Sequence, residues 1–473
     1  MTSSDPHPPV GTPAGWSERL SGRDLLRSTA LSGGVAMHAV NLYLTTTILP
    51  SVVRDIGGIE YYAWSTTVYV VASIVGAVAS SRLLGRLGAR HAYATAAGVF
   101  ALAALACAMA GSMPMLLAGR SLQGLAGGVL VALPYAMVRV VFPERLWPRA
   151  LAMVSGMWGV ATLLGPALGG VFAEAGQWRA AFWSLAPLAM AFAWLAMRVL
   201  PSREEDATTP ALPVRQLVIL TMAVLAASIA SVSDTPQAML AWLTIGVGLA
   251  AGFVHTQHRP GRHLLPRGSL RLSSPIGALY AISALLAVTV TCTEIFAPLF
   301  LQSIHGSSPL AAGYLAALMS IGWTSGSILT SSLAGGRRVA MLRASPLLAL
   351  AATAALAMLM PRTTGAPILL PIIGIAMTLC GFGVGIAYPH LAARVLVAAP
   401  PDEPDLAASS IMTVQLCATA FGAALAGLVV NVAGHPAADG AMDMARAAGW
   451  LFTLFALAPA LALRLIWPRA PGM

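Results

Sequence analysis

The chain has 473 residues, of which 58% are hydrophobic and 9% are charged, and its formal net charge is +10. Soluble globular proteins carry about 25% charged residues, so this composition excludes a water-soluble fold. It also excludes disordered chains and nucleic-acid-binding domains, which need far more charge. All 27 basic residues are arginine, because the sequence contains no lysine. The composition indicates an all-α polytopic membrane protein.

Apolar runs give the order of the membrane spans, since a spanning helix needs about 20 mostly apolar residues. Such runs predict fourteen spans, near 29–53, 62–84, 92–111, 114–139, 150–174, 180–199, 214–232, 236–255, 275–302, 309–334, 340–360, 366–396, 406–433 and 446–466. Polar linkers group them as six, two and six. We therefore predict two six-helix bundles with an inserted hairpin. The divisions are a tail at 1–28, a bundle at 29–200, a linker with the hairpin at 201–274, and a second bundle with a short tail at 275–473.

Arginine placement predicts the orientation in the membrane. With the amino terminus inside, nearly all loop arginines fall on the inner side, and the exceptions are Arg54, Arg179, Arg362 and Arg446. Cytoplasmic loops carry such an excess of arginine, so both termini are predicted to be cytoplasmic, in a bacterial-type inner membrane. The first apolar run is expected to be an uncleaved span. Removing the hairpin 214–255 leaves this parity unchanged, so the arginines do not separate fourteen spans from twelve.

The cysteines give no sign of a metal or disulfide framework. Cys107, Cys292, Cys380 and Cys417 all fall in apolar runs, without a Cys-x-x-Cys pair or a His/Cys cluster. They are expected to be small buried hydrophobic residues. No loop gathers a nucleophile, a base and an acid. We therefore expect a protein that is not an enzyme and that uses no metal or cofactor.

Short motifs follow one another in a characteristic order. SRLLGRLGAR (81–90) contains Arg82, Arg86, Gly88 and Arg90; LAGRSLQGLAGG (117–128) contains Arg120 and Gln123; LGPALGG (164–170) contains Gly165, Pro166, Gly169 and Gly170. With TTTILP (45–50), QWRAAFWSLAP (177–187) and FAPLFLQSIHGSSPLAAG (296–313), they resemble the motifs of the major facilitator superfamily, in particular of its fourteen-span drug:proton antiporter branch. Gly85 and Asn41 stand where that family has aspartate.

The resemblance implies alternating access between two bundles, with export of small amphipathic compounds or drugs driven by a proton gradient. It implies a small-molecule substrate, protons and membrane lipid as partners, no nucleic acid, and a monomer. The loop arginines would form an inner gate, and the glycines and proline of span 5 would seal the path between the bundles. Charges that only set topology, and glycines that only allow close helix packing, are the alternatives.

Two ionisable residues lie deep in predicted spans. Arg120 lies about 10 Å inside span 4, and Glu294 lies about 12 Å from the outer end of span 9, by the helical rise. An ionisable group at such depth is costly and usually functional. We expect Glu294 to carry the proton and to meet Arg120 across a watery pocket between the two halves. The alternatives are an arginine that clamps backbone carbonyls of span 1 and a carboxyl that is hydrogen-bonded for packing near the outer interface.

Other polar and aromatic side chains in or beside the spans could line a substrate cavity, which is typically apolar with a few polar contacts. They are Asn41, Tyr43, Trp64, Tyr69, Gln123, Gln302 and Gln415. Hydrogen bonds between helices are the alternative role for each. One acid and one arginine favour a neutral or anionic substrate over a dicationic one, because an apolar site needs a carboxylate to hold a cation. Uptake of a metabolite and a transport-dead sensor are the competing functions.

Overall fold

The computed structural model describes residues 22–141, 147–202, 213–257, 263–331, 333, 335–363, 366–434 and 443–469. These residues form α-helices, with one 3₁₀ turn at Ile59–Tyr61 between the first two. The helices are α1 (Gly22–Ile56), α2 (Tyr62–Ala108), α3 (Met113–Val141), α4 (Trp147–Glu174), α5 (Trp178–Val199), α6 (Val214–Ser231), α7 (Pro236–Gln257), α8 (Pro275–Ser303), α9 (Pro309–Thr330), α10 (Gly335–Leu359), α11 (Ala366–Val397), α12 (Pro404–Ala433), α13 (Met444–Phe455) and α14 (Leu457–Arg469).

Hydropathy explains why most of the described residues are helical. Eleven helical segments among the described residues are long and apolar enough to cross a membrane. In hydrocarbon every backbone N–H and C=O must bond within the protein, and a helix does this with its own residues. α1 and α9 are outside that set of eleven. α1 places His38, Asn41 and a run of threonines at 45–47 in its middle, all of them buried against other helices.

The predicted spans 62–84 and 92–111 are two helical segments of α2 that meet at Gly88, so the loop expected between them is reduced to a sharp bend. α2 has 47 residues, about 70 Å of helix, and its only break in helical geometry is Gly88, at φ 74° and ψ 170°. The segment before Gly88 runs in the same direction as α3. Tyr69 lies against Gly124, and four residues later Ser73 lies against Gly128.

The segment of α2 after Gly88 runs the opposite way. The ring of Phe100 lies against Gly127, whereas Cys107, further along α2, lies against Gly119, which is earlier on α3. The two segments of α2 are therefore antiparallel to each other and flank the same stretch of α3. The chain reverses at Gly88, the one residue of α2 whose backbone angles are not helical.

The last predicted span, 446–466, is present as one candidate span, Met444–Arg469, within which α13 and α14 meet at Ala456. Pro459 lacks the N–H that would bond the carbonyl of Phe455, and so interrupts the helical ladder. The other predicted spans each correspond to one helix, with ends that differ by several residues.

Helices α1–α5 pack mainly on one another and are called the amino-terminal half; α8–α14 do likewise and are called the carboxy-terminal half. The pair α6–α7 packs against α2 and α12, where the halves meet. The two halves also touch through α4 with α9 and through α1 with α8 and α9. We call the end of the molecule that carries the turn at 57–61 the Gly57 end, and the opposite end the Gly88 end.

Gly88 should be intolerant of any side chain. Its backbone lies in a region that residues with a Cβ occupy at a cost of about 1–3 kcal/mol. We expect Gly88→Ala to lower the free energy of unfolding by roughly that amount, measured as a lower midpoint of thermal unfolding of the full chain in detergent. Gly98→Ala is the matched control on the same helix, because Gly98 has helical geometry and a Cβ there would meet nothing within 4 Å. Equal destabilisation by both substitutions would contradict this account of the reversal.

Candidate functional site

Arg120 is the centre of a buried polar network in the amino-terminal half. α3 places its side chain against α2, and the whole residue is 0% exposed. Nη1 donates to Oε1 of Gln123 at 2.7 Å, and Nε donates to the carbonyl of Ser65 at 3.4 Å. The guanidinium lies over the ring of Tyr69, 4.1 Å from its centroid, which adds a cation–π attraction. The arginine does clamp a carbonyl, but on α2, not on the first span.

The small residues of LAGRSLQGLAGG create the space for this network. Gly124 lies against the backbone of Tyr69, so any larger residue would push α3 away from α2. A Cβ on Gly127 would meet the Tyr69 hydroxyl at 2.9 Å and Nδ1 of His38 at 3.0 Å. The glycines therefore let three polar side chains from α1, α2 and α3 converge.

α1 completes the network with His38 and Asn41. The Tyr69 hydroxyl lies 2.9 Å from Nδ1 of His38, and it also interacts with the Asn41 side chain. Both α1 residues are buried. Oδ1 of Asn41 accepts from Thr45 at 3.5 Å. Five polar side chains from three helices, including three predicted site residues besides Arg120, thus form one cluster: His38, Asn41, Tyr69, Arg120 and Gln123.

Glu294 belongs to a second network, which joins the two halves. Ser320 of α9 donates to Oε1 of Glu294 on α8 at 3.5 Å. The Tyr43 hydroxyl, from α1 in the other half, lies 3.2 Å from the Ser320 hydroxyl and also interacts with the Glu294 carboxyl. Thr162 of α4 interacts with the same tyrosine. Ser320 and Thr162 escape sequence analysis because single hydroxyl residues are common in spans and carry no motif.

The structure does not bring Arg120 and Glu294 together. The hydrogen-bond partners of Arg120 lie on α2 and α3, whereas those of Glu294 lie on α1 and α9. No ion pair joins the two residues, both of which the structure describes. The two residues therefore make no direct contact with each other. α1 links the two networks instead, because Asn41 and Tyr43 are two residues apart on it.

Three other predicted substrate residues are dispersed over the molecule. Nε1 of Trp64 donates to the carbonyl of Ser228 on α6 at 3.2 Å. Gln302 accepts from Arg54 at 3.2 Å near the Gly57 end. These two side chains serve contacts between helices, which was the alternative weighed for them.

Gln415 borders a cavity in the carboxy-terminal half, where it accepts a hydrogen bond from Tyr388 at 3.1 Å. Trp323 packs on Tyr388 with ring centroids 5.3 Å apart, and Tyr280 is a further aromatic lining residue. The centre of a water molecule can occupy a volume of about 10 Å³ in this cavity. The cavity therefore has room for about one water. Trp323 and Tyr388 were not predicted as site residues, although aromatic side chains in neighbouring spans are a usable signal.

The glycines of LGPALGG lie where the halves meet, towards the Gly57 end. Gly165 and Gly169 face α1, whereas a Cβ on Gly170 would meet Cα of Leu310 on α9 at 2.6 Å. Next to it, Pro166 lies 3.0 Å from the Cβ position of Gly313. These residues allow α4 to touch α1 and α9 with almost no side chain between them.

Polar bonds reinforce the same seam at the Gly57 end. Oε1 of Glu174 accepts from the backbone N–H of Leu310 at 3.3 Å. Nδ2 of Asn431 on α12 donates to the carbonyls of Glu60 and Ser231, each at 2.8 Å, and so ties the hairpin to both halves. The structure thus has its halves joined at this end.

The arginines of SRLLGRLGAR surround the reversal at Gly88. Nε of Arg90 donates to the carbonyl of Leu200 at 3.1 Å, just beyond the end of α5. A cation at a helix carboxyl end satisfies unpaired carbonyls and opposes the helix dipole. Arg86 is exposed and Arg82 is half-buried. Arg90 therefore ties the reversal of α2 to α5.

Comparison with known proteins shows a family. The model described as Major Facilitator Superfamily matches residues 31–423. A Mycobacterium tuberculosis protein named as a probable multidrug-efflux transporter is 39% identical over 455 residues, which cover 94% of this chain and 95% of that protein. A bacterial homologue of the human lysosomal transporter Spinster, in an inward-facing and unoccupied conformation, aligns with a TM-score of 0.67 at 12% identity, over 95% of this chain and 97% of the other. A D-xylose–proton symporter aligns with a TM-score of 0.64 at 13% identity, over 94% and 98%.

Replacing Gly170 tests whether close contact of α4 with α9 holds the two halves together at the Gly57 end. A leucine at this position would overlap the backbone of Leu310, so we expect Gly170→Leu to separate the halves there. Spin labels at Glu60→Cys and Ser303→Cys, both exposed positions in different halves, would report a longer mean distance by electron paramagnetic resonance. Gly98→Leu is the control, with open space around it. An unchanged distance distribution in Gly170→Leu would contradict this role of the seam.

Proposed function

The chain belongs to the Major Facilitator Superfamily and is a multi-pass membrane transporter, and we propose that it exports small amphipathic organic compounds across the bacterial inner membrane in exchange for protons. The 39% identity to a protein named for multidrug efflux supports the direction and the broad substrate class. Transport would proceed by alternating access, with the substrate bound between the two halves. The family is one of transporters, in agreement with the expectation that the protein is not an enzyme.

We propose fourteen membrane crossings in the fourteen-span branch, with both termini in the cytoplasm. Eleven segments are apolar enough to span, and one of them contains both segments of α2. Counting those two segments separately gives twelve, and adding α1 and α9 gives fourteen. The reversal at Gly88 supports the separate count. The excess of arginine in alternate loops supports the orientation, which makes the Gly57 end periplasmic and the Gly88 end cytoplasmic. The structure would then correspond to a state that is closed towards the periplasm.

The observation that carries proton coupling is the position of Glu294 between the halves. Its carboxyl contacts Ser320 in its own half and Tyr43 in the other half. A buried carboxylate is costly unless it is hydrogen-bonded, whereas a protonated carboxyl is neutral and can stay in a dry contact. The protonation state of Glu294 therefore changes the free energy of a contact between halves, which is what coupling of a proton to alternating access requires.

Arg120 would contribute to coupling through α1. Tyr69 connects the Arg120 network to Asn41 and His38, and Tyr43 lies on the same helix. A movement of α1 that follows a change at Glu294 would alter both networks together. Arg120 would thus act on the proton site through a helix, without a direct ion pair.

The substrate would be neutral or anionic and would contact polar groups from both halves. Among the described residues, Glu294 is the only carboxylate in the middle of a helix that faces the other half, and the proton cycle occupies it. Asn41, Tyr69 and Gln123 would provide contacts on one side, and Gln415 with the aromatic residues of the carboxy-terminal cavity on the other. The cavity would widen as the halves rock.

Replacing Glu294 tests the proton role directly. In Glu294→Gln the side chain keeps its shape and hydrogen bonds but cannot release a proton. We expect uphill transport driven by an imposed pH gradient in proteoliposomes to fall to the level of empty liposomes, while downhill substrate exchange continues. The measurement follows substrate release together with a pH-sensitive dye for a panel of neutral, anionic and cationic compounds.

Glu60→Gln is the matched control, because it removes the charge of an exposed carboxylate at the Gly57 end. Gradient-driven transport that persists in Glu294→Gln would refute the proton role. Accumulation driven inward by the proton gradient would refute export and favour uptake. If none of the compounds were transported, the alternative of a transport-dead membrane sensor would be favoured.

Tyr43→Phe tests the link between the halves. The ring remains, but the hydroxyl that contacts Ser320 and Glu294 is lost. Loss of one such hydrogen bond corresponds to about 0.5–1.5 kcal/mol, so we expect a roughly 2–10-fold fall in proton-coupled transport. Tyr314→Phe on α9 is the control, because that side chain is exposed. Equal effects of the two substitutions would show that the Tyr43 hydroxyl has no special part.

A further inference from the structure

Arg120 is a buried cation without a carboxylate partner. It is 0% exposed, and its contacts are the amide of Gln123, the carbonyl of Ser65 and the ring of Tyr69. No aspartate or glutamate of the described chain lies within ion-pair distance of it. The other titratable groups nearby are His38 and Cys107, and neither supplies a fixed negative charge. A buried charge is normally paired, so this arrangement calls for an anion.

The unused hydrogen-bonding groups around Arg120 are donors. Nη2 of Arg120, Nε2 of Gln123 and Oγ of Ser65 are buried and have no partner among the described residues, and Nδ2 of Asn41 is buried beside the Tyr69 hydroxyl without a hydrogen bond of normal length. The acceptor atoms of the two amides are already used, since Oε1 of Gln123 binds Arg120 and Oδ1 of Asn41 binds Thr45. Three N–H groups and a hydroxyl beside an uncompensated positive charge match the needs of an anion and of no cation.

We propose that this cluster, Ser65, Asn41, Arg120 and Gln123, binds a small monovalent anion, either an inorganic anion such as chloride or the carboxylate of a transported compound. The anion would supply the counter-charge of Arg120 and accept hydrogen bonds from the surrounding amides. The neutral side chain of Asn41 makes a bound anion necessary, because an aspartate at this position would supply the negative charge from the protein itself. The site does not depend on the direction of transport or on the proton role of Glu294.

Anion binding is testable on the purified full chain in detergent, without a gradient or a substrate. In separate series, chloride or acetate would replace a bulky sulfonate in the buffer step by step, so that the ionic strength stays constant. The midpoint of thermal unfolding would be measured at each step. A ligand that binds only the folded state raises this midpoint saturably, and we expect a rise on the order of 5 °C. Binding of radioactive chloride, and its displacement by acetate, would be measured directly on the same preparation.

Two variants make the assignment specific to the cluster. Arg120→Gln should abolish saturable binding. Asn41→Asp should weaken the apparent affinity at least tenfold, because its carboxylate repels the anion and replaces it beside Arg120. Asn41→Asp should also raise the unfolding midpoint in anion-free buffer, which a merely disruptive substitution would not do. Asn431→Asp on α12 makes the same chemical change away from the cluster and should keep full anion binding.

The outcomes separate the possible sources of the anion. Binding of chloride assigns the site to an inorganic counter-ion, whereas a response to acetate without one to chloride assigns it to carboxylates. If wild type binds neither anion, or if Asn41→Asp binds as tightly as Asn431→Asp, the proposal is overturned. Because no transport is measured, these results are independent of whether the protein exports drugs.

Discussion

The constraint on which this structure depends is the cost of a charge or an unpaired polar group inside an apolar protein in a membrane. Isolated charges in low dielectric are costly by many kcal/mol, so each must find hydrogen bonds, a counter-charge or water. The chain meets this constraint differently at its two deep ionisable residues. Arg120 is enclosed by donors, acceptors and a ring within one half. Glu294 is placed where hydroxyls from both halves reach it. The first arrangement is fixed by packing within a half, whereas the second changes whenever the halves move.

α1 gains its importance from lying between these two networks. It is less apolar than most helices of the chain, since it contributes His38 and Asn41 to one network and Tyr43 to the other. A helix with lipid around it could not carry these groups, but α1 packs against α3, α4, α5, α8 and α9. Its polar residues are therefore stabilised by neighbours from both halves. A rigid helix that contacts both networks can transmit a change at Glu294 to Arg120 without any bond between the two.

Much of the fold follows from hydropathy, whereas the arrangement of the site does not. Runs of apolar residues predict where helices lie, and the helical rise places Arg120 and Glu294 away from the helix ends. The rise gives depth along a helix but not the direction in which a side chain points, so it could not show that Arg120 faces Ser65 and Tyr69. The continuity of α2 was also out of reach, because a single glycine at positive φ reverses the chain where sequence patterns suggest a loop. Single hydroxyl residues such as Ser320 and Thr162 gave no signal.

The seam at the Gly57 end suits the alternating access that we propose. Gly170 brings α4 against the backbone of α9, and Gly165 and Gly169 bring it against the backbone of α1, so few side chains interdigitate there. Extensive interlocking would have to be undone in every cycle, whereas glycine surfaces can separate with little change of rotamer. The bonds from Glu174 and Asn431 across the seam go to backbone groups, which water can satisfy once the seam opens. The hairpin α6–α7 is tied to α2 and α12 through Trp64 and Asn431, so it would remain attached at that contact while the halves rock as we propose.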